Sequence, residues 1–502
     1  MKTFRLILLA GLCAAAAQAS AAGEEFVYQN FKYAVCTGNG SFSDKMREQI
    51  LTVIRSGNKL KDDCRRETMA AAIVRRSGSD PEFLRQLLAL GLDPDYLGSS
   101  RVSGRMAALN RSELKAVEPL LTGRIDWKQT GMAGDNLLLM AFGGKVRQEI
   151  QMKLLENDIP AETVNARGSD GNSLLLRIAM DRVRVKDEVV QRLAALGADF
   201  NQLSSRGLPV IQELFVSRGD ARFDEKQLKL FTSLGADVNR KNASGEGPLH
   251  FLSHYSTSHK LLQFVLDNRP DLELRDSRGN TPLLAVFVNH ADAVSDTDRD
   301  YVVKKLIEQG ADVNAVNKEG LSVLMAALMD AAARQKNDLA IAELLNAGAR
   351  ADVRSPTGRP ALYYATLTSL DFKAREAILA ASTDLNERDP RTGATPLLLA
   401  LLAGNTAMAD QLVKAGADPN LADNEGRTPL MALVRKSLEQ TLAQRLIKAG
   451  ADVSARDKSG KGVLDHLEES EYAGEERYAG RLSEFRAFLI KAQENAGAGE
   501  DR

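Results

Sequence analysis

The sequence predicts an all-α repeat solenoid of about 11–12 helix–turn–helix units joined by β-turn or hairpin fingers. Three observations predict it. The phrase Gly-Ala-Asp-x-Asn recurs with a period near 34 residues, a glycine recurs at a nearly constant distance after it, and a Thr-Pro-Leu element follows that glycine. The composition agrees. Aromatics make up only 5% of the chain and Leu and Ala dominate the apolar set, which suits short packed helices better than sheet.

The phrase starts at Gly197, Gly235, Gly310 and Gly416, with a variant at Gly450, so its Asp stands at Asp199, Asp237, Asp312, Asp418 and Asp452. Asp271, Arg350 and Asp384 occupy the same place between these copies, and Asp93, Asp126 and Thr163 do so upstream. Successive spacings are 33, 37, 36, 38, 34, 41, 38, 34, 34 and 34 residues, a stacked array with small insertions. About eight residues on stands Gly134, Gly171, Gly207, Gly245, Gly279, Gly320, Gly358, Gly393, Gly426 or Gly460; only the copy at Asp93 lacks it, Gly104 arriving late.

Each letter has a physical reason. In Thr281-Pro282-Leu283, Thr395-Pro396-Leu397 and Thr428-Pro429-Leu430, the Thr hydroxyl caps a helix and Pro fits its first turn, where no N–H is needed. A second helix, such as Leu412 to Ala415, ends at the Gly of the phrase, which can take the left-handed conformation. The stretch from Asp to the next Gly is rich in turn-forming residues.

These motifs resemble the ankyrin-repeat family, over roughly residues 64 to 492. The resemblance implies helix pairs stacked into a curved solenoid, a concave face lined by the first helix of each pair and by the fingers, and a protein-binding role without catalysis. The pattern departs from the family's before residue 160 and near 348–355, where Arg350 replaces the usual Asp.

The ends read differently. Lys2 and Arg5, the apolar run Leu6 to Ala17 and the small-residue stretch Ala17-Gln18-Ala19 have the order of a secretory signal peptide cleaved near residues 19–22. This predicts a periplasmic or secreted protein, with 1–22 as signal peptide. Two cysteines then remain, Cys36 and Cys64, and an even count in an exported chain predicts a disulfide. Residues 23–63 read as a capping segment, with Phe42, Met46, Ile50, Val53 and Ile54 at helical spacing. The solenoid covers 64–492, its last unit capped by Glu468, Glu469, Glu471, Glu475, Glu476 and Arg477, and 493–502 reads as a disordered tail.

Little in the sequence points to chemistry. Lys and Arg number 66 against 67 Asp and Glu, so no general attraction to nucleic acid or anionic membrane is expected. No cysteine pair has zinc-ligand spacing, and no phosphate-binding loop or nucleophile elbow occurs. The cluster His250, His254 and His259 admits a metal site, but His250 falls on the His of the family's helix motif, a structural position. No enzyme activity, cofactor or metal is assigned.

The fingers carry mixed charge and are the expected recognition surface. Candidate contacts are Trp127, Arg240, Lys241, Arg275, Arg278, Lys318, Arg388, Arg391, Arg427 and Lys458. Trp127 is either an interface anchor or a packing residue between fingers. Charge reversal at Arg388 and Arg391 is expected to leave stability nearly unchanged. The reading is an exported, monomeric scaffold that binds a protein partner through its concave face and fingers. The alternatives are a periplasmic immunity or protective protein that sequesters a toxin or shields an enzyme, and a metal-binding protein using His250 to His259. N-terminal sequencing of protein from an exporting host should return a start between Ser20 and Gly23; a start at Met1 would refute export.

Overall fold

The computed structural model describes residues 21–37, 41–56, 63–64, 68–76, 80–99, 101–109, 114–143, 146–180, 183–218, 225–255, 258–288, 296–334, 338–352, 354–355, 357–368 and 370–500. The expected signal peptide therefore lies outside the described residues, apart from its last two positions. The chain falls into two compact units that divide between Asp237 and Val238. Among the described residues the only β features are isolated bridges, such as Thr130 with Asn136 and Val316 with Ser322, which close individual fingers.

Among the described residues of the second unit, seven helix pairs form two rows. The first row runs Pro248–Tyr255, Pro282–Val288, Val323–Arg334, Ala361–Thr366, Pro396–Leu402, Pro429–Lys436 and Val463–Glu468, each packed on the next. Their partners are His259–Asp267, Asp296–Glu308, Asp338–Asn346, Phe372–Ala381, Thr406–Lys414, Gln440–Lys448 and Ala479–Glu500. The described residues of the first unit hold five such pairs, from Met69–Arg76 with Pro81–Ala89 to Val210–Arg218 with Glu225–Ser233. Its helices before residue 160 are short. Gly104–Ala108 has five residues, and Leu114–Val117 runs on into a 3-10 turn.

The repeated letters act as expected at both helix ends. Thr395 accepts the Leu398 N–H and Thr428 that of Met431, with Pro in the first turn of each helix. At the other end Gly416 has φ 94°, its N–H donates to the Val413 carbonyl, and the Ala417 N–H donates to that of Leu412. These two bonds define a Schellman cap and bury Ala417, which explains the Gly-Ala pair of the phrase. The apolar positions between the caps form the stack. Leu397, Leu398 and Ala400 are fully buried, as are Met408, Ala409 and Leu412 of the partner helix.

The Asp and Asn of the phrase hold one finger to the next. Asp418 accepts the N–H of Asn420, two residues on, in a local turn. Asn420 then reaches the following finger with both ends of its amide. Its Oδ1 accepts the Asp452 N–H at 2.8 Å, and its Nδ2 donates to the Gly450 carbonyl at 2.8 Å. Asn165 and Asn201 repeat both bonds in the first unit and Asn314 in the second, while Asn239 and Asn386 show the Oδ1 bond. Glu273 substitutes its carboxylate at the same register, accepting from Asp312.

The N-terminal segment is more structured than a single capping helix. A helix Ala21–Thr37 packs on Met69–Arg76, and the expected helix, Asp44–Arg55, packs on Pro81–Ala89. Phe42, Ile50 and Ile54 are buried as the spacing implies, while Met46 and Val53 are half-buried. Cys36 and Cys64 are disulfide-bonded with Cα atoms 5.4 Å apart. Arg76 reinforces the junction, donating to the Ala34 and Val35 carbonyls and lying over the Phe42 ring. At the far end Ala479–Glu500 is one helix, covering most of the stretch expected to be a disordered tail. Its Phe485 and Leu489 are buried, while the acidic run before it is exposed, a polar end for the stack.

Arg269 stands where neighbouring copies have Gly and is held at φ 51°. Left-handed backbone costs a residue with a Cβ about 1–2 kcal/mol, partly offset by the roughly 0.5–1 kcal/mol of extra chain entropy that Gly loses on folding. Arg269→Gly should therefore stabilise the protein by about 0.5–1 kcal/mol. Asn420→Ala removes two hydrogen bonds between fingers and should destabilise it by about 1–2 kcal/mol. Urea unfolding of the two variants checks both signs.

Candidate partner-binding surface

The finger cations divide into two groups by their place in the repeat. Four residues after the Asp position stand Arg167, Lys241, Arg275, Arg354, Arg388 and Arg456. Arg275 donates to the Gly279 carbonyl of its own finger and to the Val316 carbonyl of the next, at 2.9 and 2.7 Å. Arg388 does the same to Gly393 and Ala422, and Arg167 to Gly171 and Leu203. Lys241 donates to the Arg275 carbonyl. Each of these cross-finger acceptors belongs to the residue at the donor's own register in the next finger. The guanidinium or ammonium groups thus clip fingers together.

The finger tips form the second group. Arg278, Lys318, Arg391 and Lys458 are exposed at the outer turn. Lys318 donates to the Ser277 carbonyl one finger back. The side chains of Arg391 and Lys458 make no hydrogen bond or ion pair with a described residue. Arg240 is exposed beside Lys241, and Arg427 is paired with Asp423 at 2.7 Å within its own turn.

Acidic finger residues are engaged by the same turns. Burial opposes ionisation of Asp170, but hydrogen bonds from Arg177 and Asn172 outweigh it and bring its carboxyl down to about 2. Asp389 is also buried, and bonds from Arg359 and Thr392 still hold it below the usual carboxylate range. Arg359 lies over the Tyr363 ring, 4.3 Å from its centroid. Beyond the fingers, Met329 and Leu367 are exposed on the first-row helices of successive pairs, or just past them.

The described histidines are not brought together as a metal site. His250 is fully buried and uses both ring nitrogens: Nδ1 accepts the Gly247 N–H, and Nε2 donates to the Asn280 carbonyl at 2.9 Å. Burial pushes its pKa down, so the neutral ring tautomer that the two bonds require is also the favoured form. His259 is paired with Asp298 at 3.0 Å and stacked on Tyr301. His290 and the His254 side chain lie outside the described parts. Among the described residues no group of His, Cys, Asp and Glu has the arrangement of a metal site.

Trp127 is nearly buried, 9% exposed, and its remaining surface lines a cleft between the Asp126 and Thr163 fingers. Sequence reasoning singled out Trp127 but missed the cleft. The signal available was the 37-residue spacing and Lys128, which stands where most later copies carry Asn.

Comparison with known proteins bears on the repeats. A family model described as ankyrin repeats in three copies matches residues 371–457, and a single ankyrin-repeat model matches 278–318. The chain is 29% identical to the nuclear factor NF-kappa-B p105 subunit of Gallus gallus over 198 residues, 37% of this chain and 18% of that protein. It is 31% identical to neurogenic locus notch homolog protein 2 of Homo sapiens over 168 residues, 32% of this chain and 7% of that protein. It is 38% identical to Protein PhlB of Serratia liquefaciens over 87 residues, 17% of this chain and 38% of that protein. The chain thus spans well under half the length of these relatives. Two solved structures are also similar: the ankyrin repeat domain of Bcl-3, at 19% identity and TM-score 0.33, covers 44% of this chain and 94% of its own. That of human ASB11, at 20% and 0.36, covers 48% and 98%.

The clip geometry revises one expectation. Arg388→Glu should cost about 1–2 kcal/mol, because it leaves two carbonyls without their charged donor, whereas Arg391→Glu should stay within about 0.5 kcal/mol. Denaturant midpoints of the two single variants, now expected to differ, check this.

Proposed function

We propose that this chain, a member of the ankyrin-repeat family, is an exported scaffold that binds a protein partner through its concave face and finger tips and performs no catalysis of its own. Ankyrin repeats generally mediate protein–protein interaction, and this chain keeps the architecture that supports such use. One observation carries the reading. The helices and finger bases are committed to stacking, while each finger still presents an outer turn whose side chains differ from copy to copy: Ser277 and Arg278, Lys318 and Glu319, Pro390 and Arg391, Lys458 and Ser459. A rigid comb with variable teeth is suited to reading an extended surface, because little side-chain and loop entropy is left to lose on binding. Exposed Met329 on a first-row helix and Leu367 just past the next one add apolar area.

Export is supported by the order of the first residues and by the Cys36–Cys64 bridge, since structural disulfides persist in oxidising compartments. The test is affinity capture from a periplasmic extract with the mature protein. A specific partner should be retained by the wild type and by the stack-neutral variant Asn495→Ser, and lost from a folded variant with Arg278, Lys318, Arg391 and Lys458 reversed to Glu. Retention by the four-fold variant would remove the tips from the interface, and failure of the wild type to capture any specific protein would sink the scaffold reading.

A further inference from the structure

Between the Asp126 and Thr163 fingers the rung is missing. Lys128 stands at the Asn register, so no amide crosses to the next finger from that position, and the chain spends its extra residues on a short helical turn, Ala161–Val164. The Thr163 N–H donates to Pro160 inside that turn instead. The two fingers are held at their outer ends by Arg177, whose buried guanidinium bonds both Asp135 and Asp170, and by the Ser169 N–H on Asp135. They are held again at the inner end, where Asn136 donates to the Thr163 carbonyl. The gap between these ties is a cleft of about 220 Å³ lined by Trp127, Lys128, Thr130, Gly134, Asn136, Glu162, Thr163, Ala166 and Arg167. The rung is also missing after Arg350, but there Asp352 occupies the register and is paired with Arg350 at 2.9 Å. The Lys128 ammonium has no such partner among the described residues.

We propose that this cleft receives a carboxylate-bearing side chain of the protein partner, its carboxylate on Lys128 and its carbon stem against Trp127; the proposal rests on the scaffold reading above. Size favours one side chain, since pockets for drug-sized ligands run to about 300–1,000 Å³. Charge favours an anion. The lining carries Lys128 and Arg167 against the single carboxylate of Glu162, and Arg101 adds a further cation at the rim, donating to the Thr130 hydroxyl oxygen at 3.1 Å. Thr130, accepting there, keeps its own O–H to donate. The indole supplies a flat apolar wall already fixed in place by burial, so little side-chain entropy is lost on contact.

Trp127 is the one tryptophan of the 502 residues, so intrinsic tryptophan emission reports on this cleft alone. The probes are two end-capped ten-residue peptides, identical except for a central Leu-Glu-Leu or Leu-Gln-Leu, and the small acid N-acetyl-phenylalanine, each titrated into the full mature chain. The Glu peptide should change the emission saturably and the Gln peptide should not. Lys128→Glu, an exposed substitution, should weaken the Glu peptide at least tenfold with an unchanged melting temperature, and Glu162→Gln should tighten it. Equal responses to the two peptides, no saturable response to the Glu peptide, or an unchanged affinity in Lys128→Glu would each overturn the proposal. A response to N-acetyl-phenylalanine alone would overturn it in favour of a free small carboxylate. Failure here is separable from failure of the scaffold reading. If the captured partner binds wild type and Lys128→Glu equally, only the cleft assignment falls.

Discussion

The bond from one finger's Asn to the next finger's backbone is the constraint on which the repeat depends. A turn that projects from a stack leaves backbone N–H and C=O groups without helix or sheet partners, and each needs a donor or acceptor from somewhere. An Asn amide two residues past the Asp can serve one of each. In Asn420 it accepts the Asp452 N–H and donates to the Gly450 carbonyl, and the same pair of bonds recurs at Asn165, Asn201 and Asn314. For the amide to reach, the local Asp turn must aim it and the Gly cap must end the preceding helix at a fixed angle, while insertions elsewhere in the unit are tolerated, since Asn201 and Asn314 make both bonds across spacings of 38 residues. The phrase Gly-Ala-Asp-x-Asn therefore acts as one mechanical part, and where a letter changes, as at Arg269, Glu273 or Arg350, the backbone geometry or bond it serves is kept.

A second consequence concerns the fingers' charge. Cations four residues past the Asp look like a recognition surface in the sequence, yet Arg167, Arg275 and Arg388 each spend their donors on two carbonyls, one in their own turn and one in the next finger. A guanidinium suits this place because its planar fork can serve two acceptors that diverge. Lys241, with a single point charge, is seen on one carbonyl only. The charge of a finger base is thus structural, whereas at the tips the side chains of Arg391 and Lys458 make no hydrogen bond or ion pair with a described residue, although base and tip lie only a few residues apart.

The fold was legible because the repeat states it ten times over. Caps at Thr395 and Thr428, the left-handed glycines and the buried Leu positions all follow from period and residue chemistry. The candidate surface was legible only in part. Charge and turn composition locate the fingers, but whether Arg388 or Arg391 faces a partner depends on which backbone carbonyl the next finger brings within reach, a contact 34 residues away. The helix Ala21–Thr37 was missed for a different reason: it stands once, so no second copy marks its boundaries, and its apolar residues show weak helical periodicity. His250 was placed correctly at a structural position by its motif, and its two satisfied nitrogens give that placement its physical content.

Departures from the repeat are informative for the same reason that the repeat is. Where Asn gives way to Glu273, the rung survives on a carboxylate; where it gives way to Asp352, the carboxylate turns to Arg350 within its own finger. At Lys128 neither solution exists, since an ammonium cannot accept the N–H that a rung requires. The finger pair there is held by a different set of bonds, through Arg177, Asp135, Asp170 and Asn136, and those bonds leave open the space that a rung would have closed. Joining the two fingers in this way requires Arg177 to be desolvated. The two carboxylates that Arg177 bridges, one on each finger, are what make that burial tolerable.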